Sequence, residues 1–308
     1  MKLVVLNSIR LVNKMSILIE LFEAFVNLDE FRYAIIAGLI LAFLAPLIGS
    51  VVVIRRLSFI ADTLSHFSLA GVTFGVFFGQ LINVGGISPT IIGVVFGVLG
   101  TFLIEKLRGF YKNYKELSMP IIMSLGVALS GIFISLSAGI NSKYINGLLF
   151  GSIYNIRLID LLYILIITAF ILSFAAIAYK KIITLCFDET YAKVSGVNVK
   201  LIQTLITICL AFVISFFLNL IGVLLISALM IIPISIGILV GKSYVHTLKV
   251  SIIFSELSTL LGFLLSFLFD LPTGSTIILT NIFFLFAIII YKSIKNKFII
   301  KDFNKETK

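Results

Sequence analysis

Apolar runs of about twenty residues recur along this chain with scarcely a charge inside them, and no other feature restricts its folding so tightly. A backbone in lipid must satisfy its own N–H and C=O groups, so runs of this length are helices. The weaker two-residue alternation of a membrane barrel is absent. Composition agrees: the chain is 60% hydrophobic and 12% charged, with mean hydropathy +1.20, where soluble domains average about 45–50% apolar and about 25% charged residues. A soluble enzyme, a disordered regulator and a disulfide-stapled secreted module are excluded. Cys186 and Cys209 fit neither a CxxC pair nor a zinc spacing and read as small packing residues. The fold expected is an all-α polytopic transmembrane helix bundle.

The candidate spans are Tyr33–Ile54, Leu57–Ile82, Pro89–Leu107, Ser118–Gly139, Leu158–Tyr179, Leu201–Asn219, Gly222–Val240, Thr247–Phe269 and Thr273–Tyr291. Eight or nine cross. Leu201 to Gly241 carries no charge, its turn rests on Asn219 and Gly222, and Pro233 removes a backbone donor there, so one segment is open to a re-entrant path.

The formal charge of +10 suggests nucleic acid at first sight, but the basic residues lie between apolar spans rather than on one wet face. They encode topology. Of the 24 lysines and arginines, 18 fall in alternate loops: Arg55 and Arg56; Lys106, Arg108, Lys112 and Lys115; Lys180, Lys181, Lys193 and Lys200; Lys242 and Lys249; and the lysines from Lys292 onward. Cytoplasmic loops retain such charge, which puts the C-terminal tail inside and residues 83–88 and 140–157 outside. Lys2, Arg10 and Lys14 begin a segment whose apolar stretch, Leu3 to Leu6, is too short and too interrupted for a secretory signal, and Glu20, Glu23 and Asn27 line one face of a helix suited to the membrane interface. The chain thus divides into an interfacial segment at 1–32, a transmembrane domain at 33–291 and a basic cytoplasmic tail at 292–308.

Gly71, Gly75 and Gly79 make two GxxxG steps on the second span and Gly93 with Gly97 a third, so these helices are expected to approach closely. Such spacing is frequent in membrane helices and does not single out a dimer face.

Ionisable side chains within a span are costly, at roughly 2.5–3.5 kcal/mol near its centre on insertion scales, and usually face a partner or an aqueous path. Asp62 and His66 share the second span and Glu256 lies in the eighth. Four residues apart, Asp62 and His66 stack on one helix face. A carboxylate oxygen with an imidazole nitrogen suits zinc, manganese or ferrous iron better than calcium, magnesium or copper(I). Two ligands are too few for a held divalent ion, and two copies of the chain would supply four. A buried structural pair or a proton relay is the other reading of these residues. Glu256 reads equally as a second ion station or as a structural glutamate.

Between Lys180 and Lys200, Asp188 can cap a helix and Gly196 can end one, so two turns from about Glu189 to Ser195 are expected on the cytoplasmic surface, either docking a partner or lying as an ordinary loop helix. Gly237-Ile-Leu-Val-Gly-Lys-Ser243 resembles a phosphate loop but has three residues between its glycines where four are required. HExxH, CxxC and GxSxG are absent, and no enzymatic role is expected.

The run Arg55-Arg-Leu-Ser-Phe-Ile-Ala-Asp62-Thr-Leu-Ser-His66 resembles the zinc/manganese ABC-importer permease family. So do Gly38 to Gly49, Asp188 to Gly196, Gly222 to Pro233 and Asp270 to Leu279, which together span about Leu18 to Tyr291. The chain departs from the pattern at Ala61, where glycine is common, at Phe67 and Ser68, where smaller apolar residues are usual, and at Glu256, which matches no family ligand. The resemblance implies an ABC-type permease of the bacterial plasma membrane that works as a homodimer. It would receive a divalent metal from an extracytoplasmic binding protein and be driven by a separate cytoplasmic ATPase pair, with no permanently bound cofactor. It also implies that Asp62 and His66 contact the metal and that Asp188, Glu189, Ala192 and Gly196 belong to the helix seated on the ATPase. A secondary carrier using Asp62, His66 and Glu256 as an ion or proton relay is the alternative.

Overall fold

The computed structural model describes residues 29–82, 88–111, 113–137, 142–151, 158–269 and 271–306. The interfacial segment expected before Asp29 and the Asp270 side of the last motif lie outside the described residues. Among these residues there are helices and no strands. They run α1 (Asp29–Ile54), α2 (Phe59–Ile82), α3 (Pro89–Phe110), α4 (Ser118–Leu136), α5 (Ser142–Phe150), α6 (Leu158–Phe187), α7 (Glu189–Val194), α8 (Val199–Ile221), α9 (Val223–Val240), α10 (Tyr244–Phe269) and α11 (Thr273–Glu306). Nine of them, all but α5 and α7, are long and apolar enough to cross a membrane.

Of the two counts left open, eight or nine, the structure has nine helices long enough to cross among the described residues, and α9 runs unbroken through Pro233. Its turn from α8 is made at Gly222, whose φ of +87° ends one helix and starts the next without a connecting loop. The outer stretch expected as loop holds α5 instead, a nine-residue helix with Leu148 buried in the main core. Gly222 lets α5 seat there: a methyl group on it would meet Gly151 N and the Leu149 carbonyl, and one on Gly274 would meet the Phe150 carbonyl.

The core lies among α1, α2, α8 and α9, where Leu41, Leu44, Leu64, Leu210, Ile214 and Phe217 are fully enclosed. Helices α3 and α4 pack on α2, whereas α10 packs on α1 and α9, and α11 on α9 and α10. Contacts tie the lysine- and arginine-bearing turns to one end: Arg55 pairs with Glu189, Ser50 bonds Tyr244 at 3.0 Å, and Lys292 donates to the Leu239 carbonyl at 2.7 Å. The turns at Gly151, Gly222 and Gly274 gather at the other end.

Glycines govern the close approaches. A methyl on Gly71 would lie 2.5 Å from Phe96 Cβ and one on Gly75 3.0 Å from Pro89 Cα, so α2 and α3 touch along this stripe. Gly79 does not extend it: nothing lies within 4 Å of its would-be methyl, because Gly75 already sits against the first residue of α3. The Gly237–Ser243 run is a helix turn, with Gly237 and Gly241 pressed on Thr247 of α10. It is no phosphate cradle.

Candidate functional site

Helix α2 starts abruptly. The α1–α2 turn closes with Leu57 N–H bonding the Val52 carbonyl at 2.9 Å and Ile60 N–H bonding the Leu57 carbonyl at 2.8 Å, and Arg56 takes a left-handed φ of +57°. From Ile60 to Thr73 every residue is buried except Asp62 and His66. These two, one above the other on the same face, are the openings in an otherwise enclosed stretch.

The rest of α2 is clamped. The Thr63 hydroxyl lies 2.7 Å from the Phe59 carbonyl and 3.1 Å from the Met119 carbonyl of α4. Gly126 of α4 brings backbone to backbone behind the imidazole, for a methyl there would stand 2.8 Å from Phe67 N and 2.9 Å from the His66 carbonyl carbon. Ser68 and Ser215 of α8 share a hydrogen bond of 2.8 Å, over Gly97 of α3. Two of the four departures named above are therefore packing devices: Ser68 ties α2 to α8, and Phe67 lies 5.8 Å, ring centre to ring centre, from Phe96.

Asp62 and His66 make no hydrogen bond or ion pair with each other or with any other described residue. A mutually satisfied structural pair is not what the geometry displays. Among the described residues no group of three or more His, Cys, Asp or Glu side chains could hold a metal ion, and Asp62 with His66 stand as a pair. Glu256 is not brought to them. It sits partly exposed on α10, which packs on α1, α9 and α11, while α2 packs on α3, α4, α8 and α9.

At the lysine- and arginine-rich end, Asp188 caps α7 by accepting from Thr190 N–H and Tyr191 N–H, each at 2.9 Å. Gly196, with φ +79°, closes it as Val197 N–H bonds the Ala192 carbonyl at 3.0 Å. Ala192 is wholly buried against Leu185, Val199 and Ile202. Glu189 bonds Lys193 at 2.8 Å and Arg55 at 3.2 Å. The Lys193 hydrogen bond is the main cause holding its carboxyl below the ordinary value, offset by burial and reinforced by the charges of Lys193, Arg55 and Lys115. Sequence reasoning missed the Arg55 partner, since 134 residues separate the two. The available signal was that both carry charge at the same membrane side.

Set beside known proteins, the chain is 32% identical over 84% of its length, and 94% of the relative's, to a "Probable metal transport system membrane protein" of Treponema pallidum. It is 26% identical to a "Manganese transport system membrane protein MntC" of Listeria monocytogenes, covering 85% of this chain and 91% of that one. Further relatives are named for zinc uptake and for chelated iron transport. The solved structure "PsaBC from Streptococcus pneumoniae in complex with Fab" superposes with a TM-score of 0.76 at 25% identity, over 88% of this chain and 95% of its own. The ABC 3 transport family profile matches residues 27–292, which takes in α1 to α10 and the first part of α11. A bundle of that kind is the membrane-spanning permease subunit of an ABC-type transporter, and the chain belongs to the ABC 3 transport family.

Proposed function

We propose that the chain is the permease subunit of an importer for a divalent transition metal, namely zinc, manganese or iron. It takes the ion from an extracytoplasmic binding protein and passes it between two copies of itself, driven by a cytoplasmic ATPase pair seated on α7. Asp62 and His66 are the metal ligands, two from each copy. The observation that carries this reading is that these two ionisable side chains are the openings in the buried stretch from Ile60 to Thr73. A carboxylate and an imidazole turned from their own chain into lipid would each be costly, whereas turned towards a second copy they complete a four-ligand set. Names of relatives support the substrate class and leave the metal among three, as the ligand chemistry does.

The test is ATP-dependent uptake in vesicles holding the permease with its ATPase and binding protein. Asp62→Ala and His66→Ala each remove one ligand from both halves, so uptake should fall by more than the ~10–100-fold that disturbing a supporting group alone costs at metal sites. Dimerisation and ATPase association should persist. Wild-type uptake in either variant would reject the site. Movement of the metal by the lone chain along a proton or sodium gradient would reject the permease and favour a secondary carrier.

A further inference from the structure

Helix α7 stands apart from the main core. Its buried residue, Ala192, belongs to a separate apolar cluster with Leu185, Val199 and Ile202, and its packing neighbours are α6 and α8. The apolar link from this cluster to the main core runs through Ile206 of α8, which packs against both. A direct link from α7 to the head of α2 is ionic. Arg55, in the turn between α1 and α2, bonds Glu189 through Nη2 at 3.2 Å. The Arg55 side chain is 9% exposed and that of Glu189 47%, so a cation enclosed by the bundle reaches a carboxylate on the cytoplasmic surface. Arg55 Nη1 is buried with no acceptor among the described residues, beside a small cavity shared with Gln203 and Thr207 of α8. Arg108 of α3 lies within Coulombic reach of both Arg55 and Glu189. Arg108 has Glu105 as its leading carboxylate partner, so Arg55 is the enclosed guanidinium that relies on Glu189, and breaking such a pair leaves a buried charge uncompensated.

There is little slack between Arg55 and the metal ligands. Arg55 N–H bonds the Val51 carbonyl at 3.1 Å, Arg56 N–H the Val53 carbonyl at 3.0 Å and Ile60 N–H the Leu57 carbonyl at 2.8 Å, so the turn is bonded from the last residues of α1 to the first of α2. Asp62 lies in the first turn of α2, which begins at Phe59 directly after this turn. We propose that Arg55 is a positioning residue for transport: its ion pair with Glu189 ties α7 to the head of α2 and delivers movement of α7 to Asp62 and His66. This rests on the reading of the chain as an ATPase-driven metal permease.

Glu189 has a second partner, Lys193, on α7 itself, and this gives the control. If Glu189 only staples α7, losing Lys193 should do as much harm as losing Arg55. The experiment uses the full permease with its ATPase and binding protein in vesicles, with manganese or zinc as probe. It reads metal moved per ATP hydrolysed, complex assembly, and metal binding by the permease. Glu189→Gln and Arg55→Gln should each lower the metal-to-ATP ratio by about tenfold, inside the ~5–150-fold range of coupling between sites. Assembly and metal binding should stay as in the wild type, which a merely structural defect would not allow. Lys193→Gln should leave the ratio unchanged. An unchanged ratio in Glu189→Gln, an equal fall in Lys193→Gln, or loss of assembly in Glu189→Gln would each overturn the proposal. Should Arg55→Gln not fold, the contrast between Glu189→Gln and Lys193→Gln decides alone. Absence of ATP-dependent uptake in the wild type would instead overturn the permease reading.

Discussion

The sharpest stability test concerns two glycines on the same helix. Gly126 and Gly131 both lie in α4, yet a methyl on Gly126 would stand 2.8 Å from Phe67 N, whereas on Gly131 it would have nothing within 4 Å. Ordinary contact begins near 3.5 Å, so α4 and α2 would have to part by about 0.7 Å in the first case. The obstacles are backbone atoms of His66 and Phe67 and cannot rotate aside. Overpacking of this sort costs about 1–3 kcal/mol. Replacing glycine by alanine within a helix gains about 0.5–1 kcal/mol in either position, so this gain cancels when the two variants are compared. Gly131→Ala should therefore be more stable than Gly126→Ala by about 1–3 kcal/mol, a ~5–150-fold difference in the unfolding equilibrium. Denaturant titration of the purified permease, followed by helix signal, measures it. Because the crossing lies directly behind the imidazole, Gly126→Ala should also weaken metal uptake, while Gly131→Ala should not. Equal stability of the two variants would refute the claim that backbone contact at Gly126 holds α2 in place.

Gly196→Val places a β-branched residue at φ +79°, a conformation costing roughly 1–2 kcal/mol outside glycine. Hydrogen exchange in α7 should speed up while exchange in α2 stays unchanged, and transport per ATP should fall; unaltered exchange in α7 would count against the left-handed cap as what closes the helix. The pH response of α7 follows from Glu189. Its folded value lies below the ordinary one, so the contribution of the ionised carboxylate is complete above the unfolded value of about 4.3 and is lost as pH falls through the lower folded value. Exchange protection of α7 should thus be flat from about pH 8 to about pH 5 and decline only below the ordinary carboxylate range. That acid step should vanish in Glu189→Gln, and a step near neutral pH in the wild type would show that another group governs the helix.

Much of this was readable in the residues because the bilayer leaves so few options. Nine apolar runs predict eight or nine crossing helices, nine are found among the described residues, and Asp62 with His66 stand out as ionisable residues inside one of them. The signals at Asp188 and Gly196 locate α7 because capping chemistry is local. Helix ends were harder. α6 runs on to Phe187, two turns beyond Tyr179, since Lys180 and Lys181 can lay their stems along a helix that has reached the headgroups. In the same way α11 continues through the basic tail to Glu306. Residues 142–150 were not read as a helix, because one short amphipathic stretch inside a loop carries little periodic signal. Gly79 has the spacing of Gly71 and Gly75 and lacks their role, for spacing says that a helix can be approached and not where its neighbour begins. Pairing of Arg55 with Glu189 is a product of the tertiary fold and has no trace in local sequence.

The way α2 is held bears on how an ion could be released from it. Thr63 is bonded to α4 on one side, Ser68 to α8 on another, and Gly71, Gly75 and Gly126 hold neighbouring helices at backbone distance, so the frame around Asp62 and His66 has little freedom of its own. At the proposed two-copy site, a divalent ion would be released by changing the distance between the two pairs, not by rearranging either one. On the permease reading, alternation then belongs to the packing of one α2 against the other, and the clamp residues convert small shifts of α2 as a body into loss of coordination. Loosening the clamp should accordingly blur the release step before it weakens binding. Ser215→Ala, which removes the α8 tie without touching either ligand, should leave metal affinity close to wild type and slow uptake; a fall in affinity with unchanged turnover would place the freedom in the ligands themselves.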